Sequence, residues 1–186
     1  MIEKELEIID GCIKGCSRSQ EILYKIFSKK MYAICLSYVK DEDSAKDVLQ
    51  DGFVKVFNKI SSFEKNSSIE QWIRRIIINT AIDYYRKKIK ISWLRPEDID
   101  ESAFSLDETV LSSINERALL GILETLPEGC KMVFNLHVIE GYGHKEISEM
   151  IGVCEGTSKS QFFRAKKILK QKLEEAEELE SNHIYV

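Results

Sequence analysis

The chain has 186 residues and a formal net charge of −4, and 44% of its residues are hydrophobic. It contains only two prolines and nine glycines, so long helices are favoured over a many-stranded β fold. No stretch has the ~20 apolar residues of a membrane span, and the first ten residues lack the pattern of a signal peptide. We therefore expect an all-α, cytoplasmic protein that does not insert into a membrane.

The cysteines and histidines give no pattern of a metal site or a catalytic site. Five cysteines are scattered along the chain, an odd count that gives little support to a disulfide framework. Cys12 and Cys16 are four residues apart, but no histidine or second cysteine pair lies near them in the sequence. His137, His144 and His183 have no cysteine or carboxylate partner at the spacing of a metal site or a triad. Since a glycine-rich phosphate loop is also missing, we expect no metal, no cofactor and no enzymatic activity.

The charged residues are unevenly distributed along the chain. Segment 65–95 has eight basic residues and two acidic ones, whereas segment 96–108 has six acidic residues and no basic one. Segment 155–173 is basic again, with six basic residues and one acidic residue. Two basic segments separated by an acidic one predict two surfaces that contact a polyanion such as nucleic acid.

Apolar residues in the first half recur at helical spacing and predict three helices around one small core. The helices are expected over 22–34, 45–60 and 70–88, and Asp41, Asp43 and Ser44 are candidate N-caps of the second. The residues expected to face the core are Ile22, Leu23, Ile26, Phe27 and Ile34 in the first helix, Ala45, Val48, Leu49, Val56, Phe57 and Ile60 in the second, and Trp72, Ile73, Ile76, Ile77 and Tyr84 in the third.

Helical spacing is lost after residue 90, and the acidic segment around Pro96 predicts a linker. The spacing resumes at about Ser112, stops before Pro127 and returns from Met132 to Ile139. The predicted organisation is therefore two small helical domains joined by an acidic linker. The boundaries expected are 1–90 for the first domain, 91–111 for the linker, 112–175 for the second domain and 176–186 for an acidic tail.

The end of the second domain has the pattern of a helix-turn-helix. A short helix is predicted over 145–151, a turn at 152–153 and a longer helix from about residue 156 to 173, with Ser158, Phe162, Ala165 and Leu169 as its packing stripe. One α-helix fits the major groove of DNA, where Arg, Lys, Gln, Ser and Thr contact base edges. The residues expected to contact DNA from the longer helix are Thr157, Lys159, Ser160, Gln161, Arg164 and Lys167.

Two sets of residues, one in each half of the chain, share their order with a known family. The first set is Asp47, Gln50 and Phe53, followed by Trp72, Ile76, Asn79, Asp83 and Arg86. The second set is Leu126-Pro127, Phe134, Leu136, Glu140-Gly141, Glu146-Ile147, Gly152, Glu155-Gly156-Thr157, Lys159-Ser160, Arg164-Ala165 and Leu169. In this order they resemble regions 2 and 4 of the extracytoplasmic-function (ECF) sigma factors, the compact group of the sigma-70 superfamily.

The resemblance implies a sigma factor that directs core RNA polymerase to specific promoters and initiates transcription, with core RNA polymerase, promoter DNA and an anti-sigma factor as partners. Asp47, Gln50 and Asp51 are then implied to bind core RNA polymerase. The loop 63–69 resembles the family's specificity loop, which captures a flipped base of the −10 promoter element. The residues implied to contact −10 DNA are Asn66, Ser67, Ser68, Arg74, Arg75, Asn79, Arg86 and Lys87. The six residues expected to contact DNA from the longer helix of the helix-turn-helix are implied to bind the −35 element.

Two departures from the family pattern lie in that longer helix. Ser158 occupies a position where the family usually has Val and is expected to loosen helix packing slightly, and Gln161 replaces a frequent Arg. A different class of protein, a dimeric helix-turn-helix transcriptional regulator, has a recognition helix that looks alike. Such a regulator would need a palindromic DNA site and self-association, and it would not explain the resemblance in the N-terminal half.

Overall fold

The structure, a computed structural model, describes residues 2–64, 67–92, 121, 123 and 125–183, with side chains described over 4–64, 67–88, 121, 123 and 125–175. Most of these residues are helical, and no strand occurs among them. The chain divides into two compact units, Met1–Ile91 and Ser92–Val186. The prediction of an all-α protein with two helical domains is confirmed. The predicted linker lies outside the described residues from residue 93 onward, as do Asn66 and the side chains of the acidic tail.

The first unit contains one helix more than the sequence predicted. Its described helices are α1 (Ile2–Ile13), α2 (Ser17–Tyr38), α3 (Glu42–Lys59), a short 3-10 helix (Ile60–Ser62) and α4 (Ile69–Ser92). The additional helix is α1, which buries Ile9 and Cys12. Its glutamates and lysines leave only a narrow apolar stripe, so its place depends on packing against α2.

Side-chain caps fix where two of these helices begin. Asp41 is the N-cap of α3, since its Oδ1 accepts a hydrogen bond of 2.8 Å from the Ser44 backbone N–H. Ser68 precedes α4, and its Oγ accepts a hydrogen bond of 3.5 Å from the Gln71 backbone N–H. Of the three candidate N-caps of α3, the structure selects Asp41.

The core of the first unit uses one face of α2 and corrects part of the predicted stripe. Leu23 and Phe27 are buried as expected, but Ile22 is 38% exposed and Ile26 is 52% exposed. The apolar pattern of α2 contains two stripes, and the buried stripe is the one that Met31 continues. On α4, Ile73 and Ile77 are buried as expected, whereas the other predicted core residues are only partly buried: Trp72, Ile76 and Tyr84. The buried face further includes Ile78, Ala81, Ile82 and Tyr85.

A glycine allows α3 to approach α4 closely. Gly52 is buried in the middle of α3, and a Cβ atom at this position would overlap the Cδ1 methyl of Ile77 on α4. Ile77 is itself 0% exposed. The glycine therefore has a packing role at a position where helix propensity alone favours alanine.

The second unit contains the helix-turn-helix. Gly121 and Leu123 are helical, and they are followed by α5 (Glu128–Phe134), a π-helix (Asn135–Ile139), α6 (His144–Ile151) and α7 (Glu155–His183). The single helix expected over 132–139 thus divides into an α-helical and a π-helical part. Moreover, α7 continues beyond the predicted end at residue 173.

The packing of the second unit sets the relation between α6 and α7. Its core contains Leu123, Leu126, Cys130, Phe134, Ala165 and Leu169. Gly152 ends α6 in the left-handed conformation with φ 77°, which lets the chain turn at once into α7. The predicted helix-turn-helix is therefore present. None of the helices described is long and apolar enough to cross a membrane.

Candidate nucleic-acid and polymerase interfaces

Four of the six residues predicted for the −35 element lie on one side of α7. Thr157, Ser160, Arg164 and Lys167 follow the spacing i, i+3, i+7 and i+10, so they form one stripe, which we call the reading stripe. It lies opposite the packing stripe, of which Ser158 and Ala165 are both 0% exposed. Lys167 is exposed and the other three are partly exposed. The stripe thus presents two hydroxyls and two cationic groups along one helix face.

The other two predicted residues have partners elsewhere in the unit. Lys159 is exposed outside the reading stripe, and its Nζ is 2.7 Å from the Glu155 carboxylate. The Gln161 side chain reaches inward, where its Oε1 accepts a hydrogen bond of 2.9 Å from the Cys130 thiol. The structure therefore does not bring Lys159 and Gln161 together with the reading stripe.

A cysteine immediately precedes the first turn of α7. The Cys154 Sγ is 3.0 Å from the Thr157 Oγ1 and accepts a hydrogen bond of 3.4 Å from the Thr157 backbone N–H. The hydrogen bond from the Thr157 side chain, followed by that from its backbone, lowers the pKa of the Cys154 thiol below its ordinary value. This capping role was not predicted from the sequence, although position 154 has the spacing of a cap to Thr157.

Two histidines that the sequence analysis treated as isolated are in contact in the second unit. The rings of His137 and His144 stack with centroids 4.4 Å apart, and the edge of Phe162 meets His137 at 4.7 Å. The Nδ1 of His144 lies 3.0 Å from the Oγ of Ser158. Ser158 was expected to loosen helix packing slightly, but it is 0% exposed and its hydroxyl has a hydrogen-bond partner in His144.

On the first unit, three of the residues predicted for −10 DNA share one face of α4. Arg75, Asn79 and Arg86 are exposed and follow the spacing i, i+4 and i+11. Arg74 is partly exposed on another side of the helix, while Lys87 is exposed beside Arg86. The face therefore presents two guanidinium groups and an amide on one side of one rigid element, with the Lys87 ammonium beside it.

The two serines predicted to contact −10 DNA lie at the start of α4 and have local partners. The Ser67 hydroxyl donates a hydrogen bond of 3.4 Å to the Glu64 carbonyl oxygen, and the Ser68 hydroxyl caps α4. Both residues are exposed. Their side chains are therefore accessible from solvent although both make contacts with the backbone.

A cleft between α3 and α4 adjoins this cationic face. It has a volume of about 270 Å³ and is lined by Val48, Asp51, Lys55, Thr80, Asp83, Tyr84, Arg86 and Lys87. Across it, the Lys55 ammonium is 2.9 Å from the Asp83 carboxylate, which ties α3 to α4. One predicted polymerase contact, Asp51, thus shares a cleft with two predicted DNA contacts.

The three residues predicted to bind core RNA polymerase form an exposed stripe on α3. Asp47, Gln50 and Asp51 follow the spacing i, i+3 and i+4, and Val54 extends the stripe at i+7 with 53% exposure. Val54 was not among the residues predicted to bind core RNA polymerase. Its signal is an apolar residue on the polar side of an amphipathic helix.

No group of three or more histidine, cysteine or acidic side chains that could hold a metal ion occurs in the described part of the chain. All five cysteines are free thiols. Burial raises the pKa of Cys35 to about 12 and that of Cys130 to about 11.

Comparison with known proteins gives two family matches. The chain matches the model of sigma-70 region 2 over residues 23–90 and that of sigma-70 region 4 over residues 116–169. It is 27% identical over 182 residues to the ECF RNA polymerase sigma-E factor of Haemophilus influenzae, covering 90% of this chain and 94% of that protein. It is 29% identical to the RNA polymerase sigma factor SigV of Bacillus subtilis over 142 residues, covering 76% of this chain and 83% of SigV.

Comparison with solved structures finds partial similarity to chains in two complexes. The sigma factor RpoE in complex with the anti-sigma factor NepR from Bartonella quintana has a TM-score of 0.46 and 22% identity, covering 83% of this chain and 96% of that one. CnrH in complex with the cytosolic domain of CnrY has a TM-score of 0.46 and 19% identity, covering 90% and 95% of the two chains.

The two family models match in the order expected, and region 2 spans the helices α2 to α4 of the first unit. Region 4 includes the helix-turn-helix of the second unit. A dimeric helix-turn-helix regulator would account for the second match and not for the first. The chain belongs to the sigma-70 family as an ECF sigma factor, and it directs RNA polymerase to promoters.

Proposed function

We propose that this sigma factor acts by binding alone, with the first unit docked on core RNA polymerase at the −10 element and the second unit bound to the −35 element as duplex. The reading stripe on α7 is the observation that best supports this division. A single helix face with Thr157, Ser160, Arg164 and Lys167 has the groups that contact base edges and phosphates in a major groove. The protein would act in the cytoplasm, where core RNA polymerase is found.

Contact with core RNA polymerase would use the exposed stripe of α3. Carboxylates at Asp47 and Asp51 favour a basic partner surface, and the half-exposed Val54 adds apolar area at the end of the stripe. Asp51→Ala should weaken the affinity for core RNA polymerase by about tenfold. Glu42→Gln is the matched control, because Glu42 is an exposed acid of the same helix on its opposite side.

Recognition of −10 DNA would use the exposed face of α4. Opening a few base pairs costs several kcal/mol, which contacts to the separated strand must offset together with polymerase. Arg75, Asn79 and Arg86 would follow the strand, and the loop that contains Asn66, Ser67 and Ser68 would hold a flipped base. If they hold the separated strand, Arg86→Ala should remain defective on a promoter whose −10 region is already unpaired. Full recovery on that template would assign Arg86 to melting instead.

The remaining assignments follow from the family. We propose the domain boundaries 1–90 for region 2, 91–111 for the linker, 112–175 for region 4 and 176–186 for the acidic tail. An anti-sigma factor is proposed as a further partner from the family resemblance, and no residue of this chain identifies its binding site.

The first test is in vitro transcription with core RNA polymerase from the same host and a library of genomic fragments. Transcript starts that require the protein and share two spaced promoter elements are the expected result. Retention of palindromic DNA by the protein alone, with no such starts, would contradict the proposal.

Variants of α7 then test the −35 contacts. Arg164→Ala should cost about 1 to 3 kcal/mol, concentrated at one position of the −35 element, because an arginine that contacts a base discriminates sequence. Lys170→Ala should weaken all promoters about equally and reduce the salt dependence, because a phosphate contact is independent of sequence. Equal effects of both variants on every promoter would show that Arg164 does not contact a base.

A further inference from the structure

A polar contact joins the first turns of the two helices of the helix-turn-helix. His144 is the first residue of α6, and its Nδ1 lies 3.0 Å from the hydroxyl of Ser158 in the first turn of α7. Ser158 is 0% exposed. Since a buried hydroxyl without a partner destabilises a fold, a serine at this position depends on the imidazole opposite. Thr157 and Lys159, both predicted DNA contacts, are its direct neighbours in the chain.

The imidazole of His144 is itself held in place by aromatic neighbours. It stacks on His137 with centroids 4.4 Å apart and an interplanar angle of 19°, and the Phe162 ring lies at 5.5 Å. His137 is fixed in turn, because its Nδ1–H donates a hydrogen bond of 2.8 Å to the Tyr142 carbonyl oxygen. The contact between His144 and Ser158 therefore belongs to a packed cluster that spans the π-helix, α6 and α7.

The charged groups around His144 disfavour protonation of its imidazole. His137 on the π-helix and Lys159 and Lys166 on α7 each disfavour the charged form, whereas Glu155 on α7 favours it. Lys145 follows His144 in α6 and is cationic as well. Burial, followed by His137 and Lys159, lowers the pKa of His144 below its ordinary value of 6.5.

We propose that His144 is a positioning residue for −35 recognition: as a neutral imidazole it accepts a hydrogen bond from Ser158 and fixes the first turn of α7 for DNA contact. This inference rests on the proposed function of α7. Protonation removes the acceptor and places a cation beside His137 and Lys159. Recognition of the −35 element should therefore be complete above the ordinary histidine pKa of 6.5 and decrease as pH falls through the lowered pKa of His144.

The functional test uses holoenzyme on a promoter that requires its −35 element, at about pH 8 and at a lower pH that lies below the pKa of His144. Ser158→Ala and His144→Ala should each reduce initiation about three- to tenfold at the higher pH, the loss of one net hydrogen bond. His144→Asn places an amide near the Nδ1 position and should retain initiation. Because the Asn side chain does not titrate, initiation by His144→Asn relative to wild type should rise at the lower pH.

The matched control is Ser148→Ala. Ser148 is a buried serine of α6 whose hydroxyl donates to the Lys145 carbonyl oxygen of its own helix. Initiation by Ser148→Ala should equal that of wild type at both pH values. The proposal is overturned if Ser158→Ala initiates like wild type. It is also overturned if initiation by wild type relative to His144→Asn rises at the lower pH, because that result is expected of a protonated His144 that simply attracts phosphate.

A second measurement requires no DNA and so separates this inference from the proposed function. NMR titration of the histidine ring protons in the full chain, assigned with His144→Asn, should find His144 with a pKa below the ordinary histidine value. Ser158→Ala should raise this pKa, and Ser148→Ala should not. A His144 pKa that has the ordinary value and does not change in Ser158→Ala would overturn the positioning role. A lowered pKa that does change in Ser158→Ala, combined with no effect of the variants on −35 recognition, would overturn the role in DNA recognition and place the error in the assignment of α7.

Discussion

The contact between Gly52 and Ile77 makes a quantitative prediction about the first unit. Gly52→Ala gains about 0.5 to 1 kcal/mol from helix propensity, but its Cβ overlaps the Ile77 Cδ1 methyl in a full core, which costs about 1 to 3 kcal/mol. The net expectation is a destabilisation of about 1 kcal/mol. Ile77→Val removes that methyl and alone should cost about 0.5 to 1.5 kcal/mol.

The double variant distinguishes this account from a general loss of stability. In Gly52→Ala with Ile77→Val, the new Cβ fills the space of the deleted methyl, so the two costs should not add. We expect stability within about 0.5 kcal/mol of wild type and a coupling energy of about 1 to 2 kcal/mol. Ile73→Val is the control partner, because Ile73 is also 0% exposed on α4, whereas the three atoms nearest to a Cβ at position 52 all belong to Ile77.

The assay is urea unfolding followed by the fluorescence of Trp72, in a background in which Trp93 is replaced by Phe. The Trp72 ring packs 5.5 Å from that of Phe63 within the first unit, so its signal reports on that unit. Additivity of Gly52→Ala and Ile77→Val within about 0.3 kcal/mol would refute the reasoning. A coupling of equal size with Ile73→Val would refute it as well.

Three further predictions concern single residues. Exposed thiols with a lowered pKa should be alkylated first, so mass spectrometry should find Cys16 and Cys154 modified well before Cys35, whose pKa burial raises to about 12; early modification of Cys35 would contradict this order. Gly152→Ala should lower the unfolding free energy of the second unit by about 1 to 2 kcal/mol, since φ is 77°, and Gly152→Asn should cost less. Hydrogen bonds from Ser44 lower the pKa of Asp41 below its ordinary value of 3.8. The cap therefore stabilises the first unit above pH 3.8, and this stabilisation is lost as pH falls through the lowered pKa. Asp41→Ala should lower the unfolding midpoint at pH 7 and have less effect near pH 3.

Much of the helical architecture could be predicted from the sequence, because burial of one face imposes a period of 3.6 residues. The periodic runs located α2, α3 and α4, and Asp41 was among the predicted caps. The helix-turn-helix could also be predicted from the sequence, since Gly152 permits the tight turn and the packing stripe of α7 is regular. Local geometry was sufficient for these features.

The candidate sites were predicted less completely. Spacing along one helix places Thr157, Ser160 and Arg164 on one face, so the reading stripe could be derived from α7 alone. The inward turn of Gln161 could not, because it depends on Cys130, which lies in α5. The exposure of Val54 was not predicted either, because an apolar residue is expected to be buried until the packing of α3 is known.

The sequence by itself determined the helices, the division of charge and the family resemblance, since each depends on the type and spacing of residues along the chain. Only the tertiary structure decided which stripe of α2 is buried, why Gly52 is needed, and that His144, His137 and Ser158 meet. The physical reason is that contacts between helices depend on how their faces pack against each other, and one chain pattern is compatible with several such packings.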